Sequence, residues 1–205
     1  MLDSLLKSLK IDKKVKDITS DFNVKGLLKK LDPRDYFIIN NSQFDIAGTT
    51  SQVDFIIVSV YGVFVINAKN DAGEIQGTET GANWKQFLNG EEIPTVNPIY
   101  QNIDHMKAIK EKLGDKYSDL KIVSIVVFPN ETILKVTAEN SHVINNCDLL
   151  YFIERYDEKV CSYNDIYTIK YILEQNDTGG IINDMKQAIS GKPKSPDLTE
   201  EENEE

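Results

Sequence analysis

The sequence predicts an α/β fold: a central mixed β-sheet built around one antiparallel hairpin, with helices flanking both faces. Three observations carry this. Val53–Val60 and Val63–Ala68 are apolar runs separated by the turn dipeptide Tyr61-Gly62, and both of their faces are apolar, as in strands covered on two sides. Asn97-Pro98 opens a long helical pattern in which Ile99, Ile103, Met106 and Leu113 mark a buried stripe. Lys121–Phe128 is a further strongly apolar strand, ended by Pro129-Asn130.

The other elements follow in chain order. Leu2, Leu5, Leu6 and Leu9 recur at helical spacing, so residues 1–16 are expected to hold a short amphipathic helix. Packing on the domain is its ordinary role; attachment to a membrane surface is the rival, for which the apolar stripe is short. A helix is predicted from Ser20, a plausible N-cap, to Leu31, with Gly26 weakening it by up to about 1 kcal/mol and Pro33 stopping it. Tyr36–Ile39 reads as a strand, and small strands are expected near Glu74–Gln76 and Trp84–Gln86. Leu149–Ile153 is read as a weaker strand and Ser162–Gln175 as a helix. Residues 17–176 would form the domain, and 177–205 a short helix with an acidic, solvated tail.

Composition narrows the class. With 205 residues, 40% of them hydrophobic, the chain can bury a real core. No apolar run approaches the roughly 18 residues of a spanning helix, so no stable membrane insertion is expected and the chain reads as cytoplasmic. Two cysteines and two histidines without metal-ligand spacing argue against a zinc site or a disulfide framework. The net charge of −10 opposes tight non-specific binding to nucleic acid, although nine basic residues crowd positions 7–34 and six acidic ones positions 197–205.

The hairpin holds the most informative pattern. With Tyr61-Gly62 as a two-residue turn, Asp54 would lie opposite Lys69 and Asn67 diagonally across from Asp54, all three on one strand face beside Ile56, Val58 and Val65. Polar groups on such a surface need partners, because burying them unpaired is costly. One reading makes Asp54 and Lys69 an ion pair at the open end of the hairpin. The other makes Asp54 a ligand of a divalent cation and Lys69 the group that orients water or stabilises charge on a phosphate undergoing hydrolysis.

The stretch TTSQVDFIIVSVYGVFVINAKN, continued by Gly73, Trp84 and NPIYQNIDH, resembles the core of a NERD (nuclease-related) domain over roughly residues 20–113. That family is similar to the PD-(D/E)xK nucleases, so the resemblance implies a restriction-endonuclease-like core, Mg²⁺ or Mn²⁺ as cofactor, and nucleic acid, DNA foremost, as partner. Asp54 matches the motif's Asp, Lys69 its Lys and Gln52 the polar residue two before the Asp. Gln101 and His105 match the family's Q-N-x-x-H. Two positions depart from the pattern: Asn67 stands where Glu is expected, and Asp21 is a shortened stand-in for a Glu in the first helix. The site implied comprises Asp54, Asn67, Lys69, Asp21 and Gln101, with Asp54 and Asn67 as metal ligands. His105 and Trp84 read more simply as packing residues, and Glu74 is a remote candidate for a relocated carboxylate. The implied function is a metal-dependent nuclease weakened by Asn67; the alternative is an inactive binding or regulatory module on the same fold.

Overall fold

The structure is a computed structural model that describes residues 23–46 and 48–175. The expected N-terminal helix, the Ser20 cap, Asp21 and the acidic tail lie outside the described residues.

The described residues form nine strands and four α-helices. Strands β1 (Tyr36–Ile46), β2 (Thr49–Ser59) and β3 (Gly62–Ala68) are antiparallel neighbours. Strand β7 (Ile122–Phe128) joins β3 in parallel, and β9 (His142–Asn145) joins β7 in parallel, giving a mixed sheet in the order β1-β2-β3-β7-β9. A second mixed sheet orders β6 (Glu91–Val96), β5 (Asn83–Leu88), β4 (Glu74–Thr78) and β8 (Ile133–Thr137).

The two-sided apolar pattern of the hairpin is explained by helices on both faces. On one side, Ile56, Val58, Val63 and Val65 pack against Ile109 and Leu113 of α2 (Pro98–Leu113) and Ile166 and Ile169 of α4 (Tyr163–Glu174). On the other, Ile57, Phe64 and Ile66 meet Val24 and Leu28 of α1 (Val24–Leu28) and Leu149 and Phe152 of α3 (Leu149–Glu154). All seven hairpin residues named are fully buried. Each such side chain contributes roughly 1.5–3 kcal/mol, so the run outweighs the cost of a few hydrogen-bonded polar groups at its end.

The structure corrects several expectations. Leu149–Ile153 is helical, not a strand: a five-residue apolar run is ambiguous by itself, and burial of Leu149, Phe152 and Ile153 follows helical spacing. The first helix is described only from Val24 to Leu28, capped by Asn23 Oδ1, which accepts from Gly26 N–H at 2.8 Å. Strand β1 runs to Ile46, well past Ile39, because its polar second half pairs with residues 49–53 of β2. Strands β6, β8 and β9 were not expected. Pro94 interrupts the pattern of β6 and β9 spans only four residues, and all three strands lie at sheet edges, where a weak apolar signal is tolerated.

The hairpin register also differs. Ser59 pairs with Gly62, so Val60-Tyr61 form the turn. A turn on Tyr61-Gly62 of the type favoured in hairpins would require positive φ at Tyr61, which a bulky side chain resists. The positive φ, 128°, falls on Gly62 instead. Ser59 Oγ closes the turn by accepting from Tyr61 N–H (3.1 Å) and donating to the Gly62 carbonyl (2.9 Å).

Candidate functional site

At the open end of the hairpin the ladder from Ser59↔Gly62 reaches Phe55↔Ile66 and stops. The next step in this register brings Asp54 level with Asn67, two residues from the expected pairing. A slip of two leaves the side chains of a regular strand on their faces, and Asn67 and Lys69 both reach Gln101 on the side covered by α2.

Where the strands part, Asp54 takes over from the backbone: its Oδ2 accepts the Ala68 N–H at 2.8 Å. The β1–β2 ladder is interrupted at the same level, between Asn40↔Phe55 and Ser42↔Val53, where Asn41 adopts a φ of 55°. Asn41 in turn accepts from Gln52 Nε2 at 3.1 Å. Asp54 therefore sits where β2 loses regular pairing on both sides, and its carboxylate replaces one missing ladder bond.

Helix α2 supplies the opposite wall. Asn97 Oδ1 caps it by accepting from Ile99 N–H at 2.9 Å, while its Nδ2 reaches the carbonyls of Thr78, Glu79 and Gly81. One residue thus fixes both the helix start and the turn after β4. One turn on, Gln101 Oε1 accepts from Asn67 Nδ2 (3.0 Å) and from Lys69 Nζ (3.1 Å). Asn67, 3% exposed, also reaches the Pro98 carbonyl at 3.4 Å. Asn67, Lys69 and Gln101 are therefore one connected group, with Asp54 beside it on β2. Lys69 bonds to Gln101, and no ion pair joins it to Asp54, so the simple Asp54–Lys69 pair is not formed.

Two further α2 residues hold this wall in place. Asn102, fully buried, has its Nδ2 within 2.9 Å of the Val65 carbonyl and of Ser124 Oγ, tying the helix to β3 and β7. His105 Nε2 shares a hydrogen bond of 2.8 Å with Ser51 Oγ on β2. Burial holds the His105 ring below its ordinary value, against the pull of Asp54 upward and with the help of Lys69, so it is neutral near pH 7. That placement makes His105 a packing and positioning group. Trp84 is likewise a core residue: 1% exposed, it lies against Gly77, and its Nε1 donates to the Thr78 carbonyl at 2.9 Å. Glu74 does not join the site, since it is bound to Lys135 (2.8 Å) and to the Gln76 side chain on the second sheet.

A cavity of about 400 Å³ opens between the end of β3, the start of α2 and the second sheet. Its polar lining includes Lys69, Asn70, Asp71 and Gln101, and its apolar lining Ile75, Trp84 and Phe128; Asp54 and Asn67 do not line it. Asp71 is a cavity-lining residue that the sequence reading did not single out: it lies past the end of β3, where strand alternation no longer sets direction. Burial pushes the Asp71 carboxyl up, with Lys69 opposing.

The donor set suits a hard cation only in part. Asp54, Asp71 and the side-chain carbonyls of Asn67 and Gln101 are oxygen ligands of the right class. Among the described residues, however, no three His, Cys, Asp or Glu side chains are grouped to hold a metal. Gln101 Oε1 already accepts two hydrogen bonds. Mg²⁺ commonly binds through one or two carboxylates and completes its shell with water and substrate phosphate, and the residues present fit that weaker mode. Among the described residues no helix is long and apolar enough to cross a membrane.

An uncharacterized protein of Bacillus anthracis is 32% identical over 154 residues, covering 73% of this chain and 71% of the relative. No solved structure matches. The model of the nuclease-related domain matches residues 16–129, a span that contains the hairpin, Gln101 and His105, and by that match the chain belongs to the NERD (nuclease-related domain) family.

Proposed function

We propose that the protein is a divalent-metal-assisted nuclease acting on DNA, of low activity because Asn67 occupies the position of the second carboxylate. One observation carries this reading: the end of a buried hairpin brings Asn67 and Lys69 against Gln101 beside an open cavity, with Asp54 bound to the Ala68 N–H between them. Asp54 and Asn67 would hold the cation, which supplies polarisation of the phosphate and acidification of water when bound. Lys69, steered by Gln101, would place its ammonium against charge developing on the phosphate. Asn102 and His105 would keep α2 seated so that Gln101 stays in reach. Asp21, by its match to the family pattern, would support the site.

Asn67 lowers cation affinity in two ways. It is neutral, and it is one methylene shorter than Glu. Asn67→Glu should therefore raise Mg²⁺- or Mn²⁺-dependent cleavage of DNA by at least tenfold, with Gln101 turning its amide to donate to the new carboxylate. Asp54→Ala should abolish cleavage in both backgrounds. The assay is cleavage of plasmid and single-stranded DNA with each cation. If Asn67→Glu stays inert with Mn²⁺ on both substrates, the enzymatic reading falls. The second reading, a silent nucleic-acid-binding module, is favoured by the settled Asn67–Gln101 hydrogen bond and would then be tested by gel-shift of the same DNA.

A further inference from the structure

The cavity of about 400 Å³ has fixed walls. The loop after β3 is fastened at three successive carbonyls: Asp71 O accepts from Thr132 Oγ1 (2.7 Å), Ala72 O from Gln86 Nε2 (2.8 Å) and Gly73 O from Ile133 N–H (2.9 Å). Gly73 takes a φ of 88°, and a Cβ there would collide with the Phe87 carbonyl oxygen, so the backbone path admits little else. Asn97 ties the start of α2 to the turn after β4. Ile75, Trp84 and Phe128, each 1% exposed, give an apolar lining. The volume falls within the roughly 300–1,000 Å³ of small-molecule sites.

Among the described residues the lining has one cation, Lys69, and one acid, Asp71, near enough for Lys69 to act on the Asp71 carboxyl. That pair selects against simple ions. A dication meets the ammonium and a bare anion meets the carboxylate, each a like charge at close range. The lining suits a ligand that joins an anionic group, an apolar ring and N–H donors. A nucleotide has that make-up, because a base amino group is a donor that a carboxylate accepts.

We propose that the cavity takes an unpaired nucleobase of the DNA strand, with the adjoining phosphate at Lys69 and the base amino group donating to Asp71, and so selects single-stranded substrate. This deepens the nuclease reading and rests on it for the class of ligand. A base within a duplex is stacked and paired, and must first be turned out before it can enter such a cavity. Among the pyrimidines, cytosine offers Asp71 an amino group. Thymine carries a carbonyl oxygen in the same place, which a carboxylate repels. Cytosine-rich single strands are therefore preferred over thymine-rich ones of the same length and charge.

The test is calorimetric titration of the full chain with short oligo-dC, oligo-dT and an oligo-dC·oligo-dG duplex, at low salt, in EDTA and again with Ca²⁺. Emission of Trp84, the single tryptophan of the chain, reports from the cavity itself. The expected result is that oligo-dC shifts this emission and binds about fivefold more tightly than oligo-dT or the duplex. Asp71→Asn, whose amide can also donate to thymine, should bring oligo-dC and oligo-dT to equal affinity at unchanged melting temperature. Asp71→Ser carries the same comparison if Asp71→Asn melts early. Equal binding of the two single strands by the wild type, preference for the duplex, or a dC:dT ratio that the Asp71 variants leave unchanged would overturn the proposal. Binding that leaves Trp84 emission unmoved would place the base elsewhere and overturn it too. So would absence of binding under both conditions. In each of these cases the nuclease reading is decided separately, by cleavage with Asn67→Glu.

Discussion

The two ends of the β2–β3 hairpin are made of the same strands and differ in nearly everything else. At the closed end, Val60 is 1% exposed and its carbonyl accepts from the N–H groups of both Val160 and Cys161 (2.8 and 3.0 Å). Every polar group named there is satisfied by backbone or by Ser59. At the open end the ladder stops early, a carboxylate substitutes for a carbonyl, and an amide network replaces apolar packing. The closed end is apolar and fully paired, and the open end carries the polar side chains. Functional sites often sit where local regularity is given up and the rest of the fold compensates.

Substitutions at the two ends should therefore separate stability from activity. The largest stability effect is expected at the closed end. Gly62→Val puts a β-branched residue at φ 128°, with a Cβ 2.8 Å from the Lys121 carbonyl oxygen, and should cost on the order of 3 kcal/mol. Urea unfolding would show it as a lowered midpoint. A midpoint unchanged within error would mean that the turn can re-form without positive φ.

An intermediate effect concerns His105, between the two ends. Its folded-state pKa lies below the ordinary 6.5 because of burial. Its contribution is therefore present above pH 6.5 and is lost as pH falls from there toward the lowered value, where the unfolded chain binds the extra proton first. His142 is lowered by burial too and acts in the same direction. His105→Gln, which keeps a partner for Ser51, should lose less stability between pH 7.5 and pH 5.5 than the wild type does. Equal losses in urea titrations at the two pH values would assign the acid sensitivity elsewhere.

The smallest stability effect is expected from Lys69→Met at the open end. It removes one hydrogen bond to Gln101 and should change stability by about 1 kcal/mol or less, while removing whatever metal-dependent cleavage the wild type shows. A large loss of stability would mean that Lys69 is a structural cation and would erase the contrast between the two ends.

Much of this contrast was legible in the sequence. The hairpin, the Asn97 cap, the buried stripe of α2 and strand β7 all follow from periodicity and turn chemistry. The shared face of Asn67 and Lys69 survived an error of two in the register because the faces of a regular strand depend only on parity. Leu149–Ile153 failed for the opposite reason: five apolar residues contain too little periodicity to tell helix from strand. Asp71 was passed over because it lies beyond the strand end, where alternation no longer binds and only the loop's fastenings fix its direction.

The sequence by itself determined which residues form the buried hairpin and which face of β3 carries Asn67 and Lys69. These are local properties, set by repeats of 2.0 and 3.6 residues and by the φ each side chain tolerates. The tertiary structure alone decided that Gln101 binds both Asn67 and Lys69, that Asp54 closes a ladder in place of pairing with Lys69, and that Asp71 lines a cavity. Those facts depend on how a helix and a second sheet, distant in the chain, pack against the strand ends, and no local periodicity encodes such distances.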